Sequence, residues 1–229
     1  MKYTPGPMIG AASGSVGGQT ASRNRYGAYF RTRAIPTTAT SDAALSAKSR
    51  LAAASQAWGA LTAAQRLSWR TWAQTNPVTD ALGQQQVLSG HAAYVGIWTR
   101  TDVCGGTPFA APPLGAAPDA LLTLTATWDI GAGDFEITYT GTPLGASEKL
   151  YIQAAVCDSP GISYVQNLLK LVGFSAAAQA SPFDAQTLIE ARFGSLAADQ
   201  IVHMQVSVID TTTGLLSAPR IVSGTVVST

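Results

Sequence analysis

Residues 41–74, SDAALSAKSRLAAASQAWGALTAAQRLSWRTWAQ, decide how this chain is read. Apolar residues recur there at three- and four-residue spacings, the mark of amphipathic helices. Ser41 or Asp42 can cap a first helix, and Asp42 suits the positive end of its dipole. That helix is expected to run to about Trp58, with Leu45, Leu51, Ala52, Ser55 and Trp58 as its apolar stripe. Gly59 interrupts the pattern. Thr62 with Gln65 three residues on has the form of a capping box, so a second helix starts at Thr62 after a very short turn. On it Arg66, Trp69, Arg70 and Ala73 share a face, which Leu67 does not join. Asn76-Pro77 ends it, because the residue before proline is pushed out of the α region. Ser89 can cap a third helix over about 90–100 carrying Tyr94, Ile97 and Trp98. Between the second and third helices, a turn is expected at Asp80–Gly83 and a short strand at Gln84–Leu88.

The stretch 41–103 therefore reads as a helical module. It holds four of the five tryptophans: Trp58, Trp69, Trp72 and Trp98. Such rings either make a small core or anchor a partner protein, as interface tryptophans often do. Trp58, Arg66, Trp69, Arg70 and Trp72 are the candidate contact residues.

Upstream, residues 1–40 read as an extended basic arm or hairpin. The first twenty are rich in glycine and proline. In 22–36, SRNRYGAYFRTRAIP, the residues Tyr26, Ala28 and Phe30 alternate with Gly27, Tyr29 and Arg31, which is the period of a strand. Asn24–Gly27 offers a turn, so 15–34 could pair as a hairpin. So little apolar content cannot fold alone and needs another surface. Arg23, Arg25, Arg31 and Arg33 interleave with Tyr26, Tyr29 and Phe30. Arginine on phosphate and aromatics on bases would suit nucleic acid. Arginine on carboxylates would suit an acidic protein surface, the preferred reading. The helical hairpin also invites comparison with a DNA reader, whose second helix presents polar side chains to base edges.

Downstream, 104–120, CGGTPFAAPPLGAAPDA, is punctuated by proline and glycine and reads as a linker. From Leu121 the period changes to two. Leu122, Leu124, Ala126 and Trp128 alternate with threonines. Phe135, Ile137 and Tyr139 follow, then Leu150, Ile152, Ala154 and Val156, then NLLKLVGF, then Val202, Met204, Val206 and Val208, and finally LSAPRIVSGTVVS. PFDAQTLIEARFG reads as one helical turn or an irregular link. About seven short strands over 121–229 point to an immunoglobulin-like or fibronectin-III-like sandwich, with Trp128, Phe135, Ile152 and Val206 inside. The fold class is α+β in two modules, with an arm in front.

Charge divides the chain the same way. Residues 1–100 hold ten basic and two acidic side chains, a net +8; residues 101–229 hold four basic and eleven acidic, a net −7. Charged residues are only 12% of the whole, a surface suited to packing against other proteins. No apolar run reaches the roughly 18 residues of a membrane span. The N-terminus MKYTPGPMIGAASG has no continuous apolar core, so it makes a poor signal peptide. Cys104 and Cys157 read as two reduced, buried thiols, with a disulfide as the alternative. His91 and His203 have no neighbours at metal-ligand spacing. There is no G-x-S-x-G nucleophile elbow, and GSVGG lacks the Lys-Ser/Thr of a phosphate loop. Neither enzymatic activity nor a cofactor or metal is expected.

The stretches SGSVGGQTASRNRYGAYFRTRAIP (13–36), ALTAAQRLSW (60–69), VTDALGQQQVLSGHAAYV (78–95), DSPGISYVQNLLKLVGF (158–174) and FGSLAADQIVHMQVSVIDTTTGLLSAP (193–219) together resemble a family of tailed-bacteriophage and prophage proteins. These join a Gly/Arg-rich arm and a Trp-rich helical hairpin to a fibronectin-type domain. The chain departs from that pattern after Pro36, where TTATSDAALSAKSR stands in place of an NPRT-like turn and a glutamine. The resemblance implies a virion structural protein, read here as a capsid decoration or cement subunit assembled in the host cytoplasm. Its expected partners are the major capsid protein and further copies of itself. A tail or head–tail connector protein is the second reading, and a DNA-binding regulator the third.

Overall fold

The computed structural model describes residues 12–24, 27–34, 41–79, 83–131, 135–140, 144–159, 161–162 and 164–228. Over these the chain is mixed α+β, with helices and several antiparallel sheets. It divides into two compact units, Met1–Ala47 and Lys48–Thr229.

The first unit contains a three-stranded antiparallel meander, β1 (Gly14–Val16), β2 (Gln19–Asn24) and β3 (Gly27–Thr32). The expected hairpin is therefore β2–β3, and a third strand is added through the turn at Gly17-Gly18. Gly17 has φ +56°, a left-handed value that a side chain would strain. Arg25 and Tyr26 lie outside the described residues.

Helix α1 (Asp42–Ala60) starts at the expected place but runs through Gly59. The expected apolar stripe is not its buried face. Leu45 and Leu51 are about half exposed, Ala52 and Ser55 are exposed, and Ala54 alone is fully buried. Helix α2 (Ala63–Thr75) begins with the capping box read from the sequence. Gln65 N–H donates to Thr62 Oγ1 at 3.3 Å, and Thr62 N–H donates to Gln65 Oε1 at 2.8 Å. After Asn76-Pro77, β4 (Val78–Thr79) and β5 (Gln85–Gln86) form a minimal hairpin. The strand expected at Gln84–Leu88 shrinks to two residues, and Val87 and Leu88 are exposed. Residues 80–82 of the expected turn lie outside the described residues. Helix α3 (Gly90–Val103) has Ser89 as its N-cap, accepting from Ala92 N–H at 3.1 Å. Leu61, Trp69, Ala73, Ala93, Tyr94 and Ile97 form the helical core.

The C-terminal strands make two sheets. One has the order β10-β7-β6: Phe183–Asp184, Glu136–Tyr139 and Leu124–Ala126. The other has the order β12-β11-β8-β9: Arg220–Thr225, Ile201–Asp210, Glu148–Cys157 and Lys170–Phe174. Period-two alternation sends Ile137 and Tyr139, Leu150, Ile152 and Ala154, and Val202, Met204, Val206 and Val208 into one shared core, which Phe135 joins. Fully burying such a side chain is worth about 1.5–3 kcal/mol. The link PFDAQTLIEARFG contains a two-turn helix, α4 (Gln186–Phe193), which seals that core with Ile189. Two expectations are corrected here. Leu122 is exposed, because β6 begins only at Leu124 and Leu121 is the buried residue. Trp128 is partly buried, stacked edge-on against Phe135 at 5.2 Å, rather than inside.

Residues 104–120 form no helix or strand, yet they are tied down at several points. Phe109 stacks on Trp69 at 6.5 Å, Pro113 is buried, and Cys104 carbonyl accepts from Lys149 Nζ at 2.8 Å. A Cβ on Gly106 would meet the Thr211 carbonyl, and one on Gly214 would meet Thr101 and Ile97. The end of α3 thus rests on the turn after β11. It is at this end that β11 stops alternating: Ser207 and Ile209 are buried as well as Val206 and Val208.

That turn is held by Asp210. Its Oδ1 accepts from Thr212 N–H at 2.9 Å and Thr212 Oγ1 at 2.8 Å, and its Oδ2 from Thr213 Oγ1 at 3.0 Å. Burial alone would push the carboxyl pKa up; the hydrogen bonds from Thr212 and Thr213 outweigh it and bring the pKa below its ordinary value. A depressed carboxylate stabilises the fold above its unfolded-state pKa, and that contribution fades as pH falls through the folded value. Thermal midpoints of the wild type and Asp210→Ala are therefore expected to differ near neutral pH and to converge in acid. Parallel curves at every pH would remove Asp210 from the account.

Candidate functional site

Among residues 12–15, 17–24 and 27–34 none is buried. Registers Ala21↔Phe30, Ser22↔Tyr29 and Thr20↔Arg31 sort the arm's side chains onto two faces. One face carries Phe30, Ala28, Ala21 and Arg23. The other carries Tyr29 and Arg31 beside Ser22 and Thr20, and Arg33 continues it through an N–H bond to Gly18 carbonyl at 2.8 Å. Arg23, Arg31 and Arg33 are exposed, while Tyr29 and Phe30 are half-buried. The aromatic and basic residues picked from the sequence are thus brought together on a small sheet, but Tyr29 and Phe30 point to opposite sides of it. A three-stranded sheet with neither face closed falls short of what a sheet needs for independent stability. Among the described residues the ion pair found is Arg50–Asp102 at 3.1 Å, so these arm arginines have no carboxylate there.

The helical candidates divide differently. Trp69 is fully buried, its Nε1–H donating to Ala110 carbonyl at 2.8 Å and its ring edge-on to Tyr94 at 5.2 Å and Trp72 at 5.7 Å. It is a core residue with no exposed edge. Trp58 packs on His91 and Tyr94 at 5.6 and 5.5 Å and keeps part of its surface. Trp72 also keeps a partly exposed edge. Arg66 donates from Nε to Trp58 carbonyl at 3.3 Å and from Nη2 to Gly59 carbonyl at 2.6 Å. It caps the last turn of α1, where orphan carbonyls and the negative dipole end favour a cation. Arg70 is exposed, with its backbone and stem packed against Gly90. Of the polar side chains that a recognition helix would offer, Gln65 and Arg66 are thus spent on capping. What sequence reasoning missed is the exposed apolar surface of the helices, Leu45, Leu51 and Leu67. The signal for Leu45 and Leu51 is the apolar stripe of α1 itself.

Elsewhere, Cys104 and Cys157 are free and buried, and burial pushes the Cys104 thiol pKa up. Burial lowers the Arg100 pKa and raises that of Tyr151, beside which its charge sits. Among the described residues no three His, Cys, Asp or Glu side chains gather as a metal site, and no helix is long and apolar enough to cross a membrane. One opening of about 650 Å³ lies between Gly105–Leu114 and Thr211–Thr213 and has no titratable side chain in its lining. Comparisons with protein-family models, with curated proteins and with solved structures find no match to this chain.

Proposed function

We propose that the chain is a structural subunit of a tailed-bacteriophage particle, a capsid decoration or cement protein that docks through its N-terminal arm and helical module. The observation that carries this is the arm itself: a basic meander with no buried side chain among residues 12–15, 17–24 and 27–34, which on this reading gains its stability from a surface outside it. The half-exposed leucines of α1 and α2 and the edges of Trp58 and Trp72 supply apolar area for the same contact. We further propose that 121–229 is a fibronectin-III-like sandwich projecting from the particle. Its support is the strand order, three strands as β10-β7-β6 and four as β12-β11-β8-β9 around one core. A net −7 half is repelled by the acidic surface that a net +8 half seeks. The partner in this reading is the major capsid protein, with tail or connector proteins as the second placement.

The test is particle binding. Changing Arg23, Arg25, Arg31 and Arg33 together to Ser is expected to release the protein from purified particles, most completely at raised salt. Each exposed arginine contact contributes about 1 kcal/mol or less, so the effect needs all four. Co-sedimentation of the variant at wild-type levels would overturn the docking role of the arm.

A further inference from the structure

We propose that the arm finds a second acidic surface, besides that of the particle, on another copy of this chain: the outer face of its β10-β7-β6 sheet. This rests on the arm being the docking element proposed above. That sheet face is polar and uncrowded. Thr125 stands opposite Thr138 on it, and both are exposed. Glu136 stands directly opposite Asp184. Like charges in that position repel one another across an antiparallel pair. Asp184 Oδ1 accepts from Gln186 N–H at 2.8 Å, which engages one of its two oxygens. Among the described residues no cation of this half forms an ion pair with either carboxylate, exposed Arg192 included. Lys149 is engaged by Cys104 carbonyl, Lys170 lies over the Phe193 ring, and Arg220 donates to Leu121 carbonyl.

The arm offers the complement. Arg31 and Arg33 lie on one face beside Tyr29, about 7 Å apart along the strand. Each fork can take a carboxylate in a bidentate pair. Charge also selects the geometry. Arms of +4 in residues 12–34 repel each other, whereas an arm and a −7 half attract. The contact is therefore heterologous, arm to sheet, and such contacts propagate into rings or open arrays rather than closing as two-fold dimers. A multi-copy lattice on a particle is what such a contact builds.

The experiment is sedimentation of the full-length protein at low salt and at about 0.5 M salt. Self-association is expected at low salt and is expected to fall with salt. The variant Arg31→Glu/Arg33→Glu and the variant Glu136→Lys/Asp184→Lys are each expected to associate at least roughly tenfold more weakly. Mixed in equal amounts at low salt they should associate again, because one variant keeps a native sheet and the other a native arm. Arg31→Ser/Arg33→Ser serves if a charge reversal fails to fold, and it too should weaken association. A wild type that is monomeric at every salt, or a mixture that stays monomeric, overturns the proposal; an arm closing on its own chain would give that second result. If the sheet variant binds particles normally while the arm variant does not, docking to the particle stands and self-docking falls.

Discussion

Replacing Trp69 by alanine is expected to destabilise the helical module by about 3–5 kcal/mol, the range for removing a large buried aromatic. The ring is fully buried on α2 and is the largest member of a core of six buried residues. It touches Tyr94, Trp72 and Phe109, so one substitution removes ring contacts to α3, within α2 and to the segment after α3 at once. It also leaves Ala110 carbonyl without its indole donor. So few residues cannot collapse onto the space left behind. Trp69→Phe keeps most of the apolar volume and loses the hydrogen bond, and is expected to cost clearly less. Urea unfolding of both variants measures the difference. A loss below about 1 kcal/mol for Trp69→Ala would mean that the aromatic cluster does not organise this module.

Replacing Gly106 by valine is expected to cost about 3 kcal/mol or more, at the upper end of overpacking effects. A Cβ there would overlap the Thr211 carbonyl and approach Thr101 Cγ2 to 2.8 Å. Neither side yields cheaply. Gly106 N–H donates to Thr101 carbonyl at 2.9 Å, and Thr211 N–H donates to Ser147 carbonyl at 2.9 Å. The substitution pries the end of α3 off the turn after β11. Gly59→Ala is the control with the opposite sign. Nothing lies within 4 Å of a Cβ at Gly59, and it sits inside a helix, so alanine should add up to about 1 kcal/mol. Equal midpoints for Gly106→Val and the wild type would show that the two modules are joined loosely at this point.

Local chemistry made much of the fold legible. The Thr62–Gln65 box, the Ser89 cap and the Asn76-Pro77 stop act within a few residues of themselves, so α2 and α3 begin, and α2 ends, where the sequence says. The alternation in Phe135–Tyr139 and Val202–Val206 reads correctly because one face of each strand is buried there and the period is two. Errors arose where burial depends on neighbours distant in sequence. In α1 the Leu45–Trp58 stripe has ordinary helical spacing, but among the described residues Trp58 packs on His91 and Tyr94 and Ala54 is buried, while Leu45 and Leu51 stay about half exposed. In 104–120 the prolines and glycines announce irregular backbone without announcing that Phe109 seats on Trp69.

The candidate site divides along the same line. By itself the sequence determined that the arm is basic, aromatic and strand-forming, since composition and period two are local properties. Only the tertiary structure decided that Tyr29 and Phe30 face opposite ways on a meander, that Arg66 is spent on the carbonyls of α1, and that Trp69 is core while Trp58 and Trp72 keep an edge. Strand pairing and helix packing settle which face of each element meets protein, and both depend on residues tens of positions away.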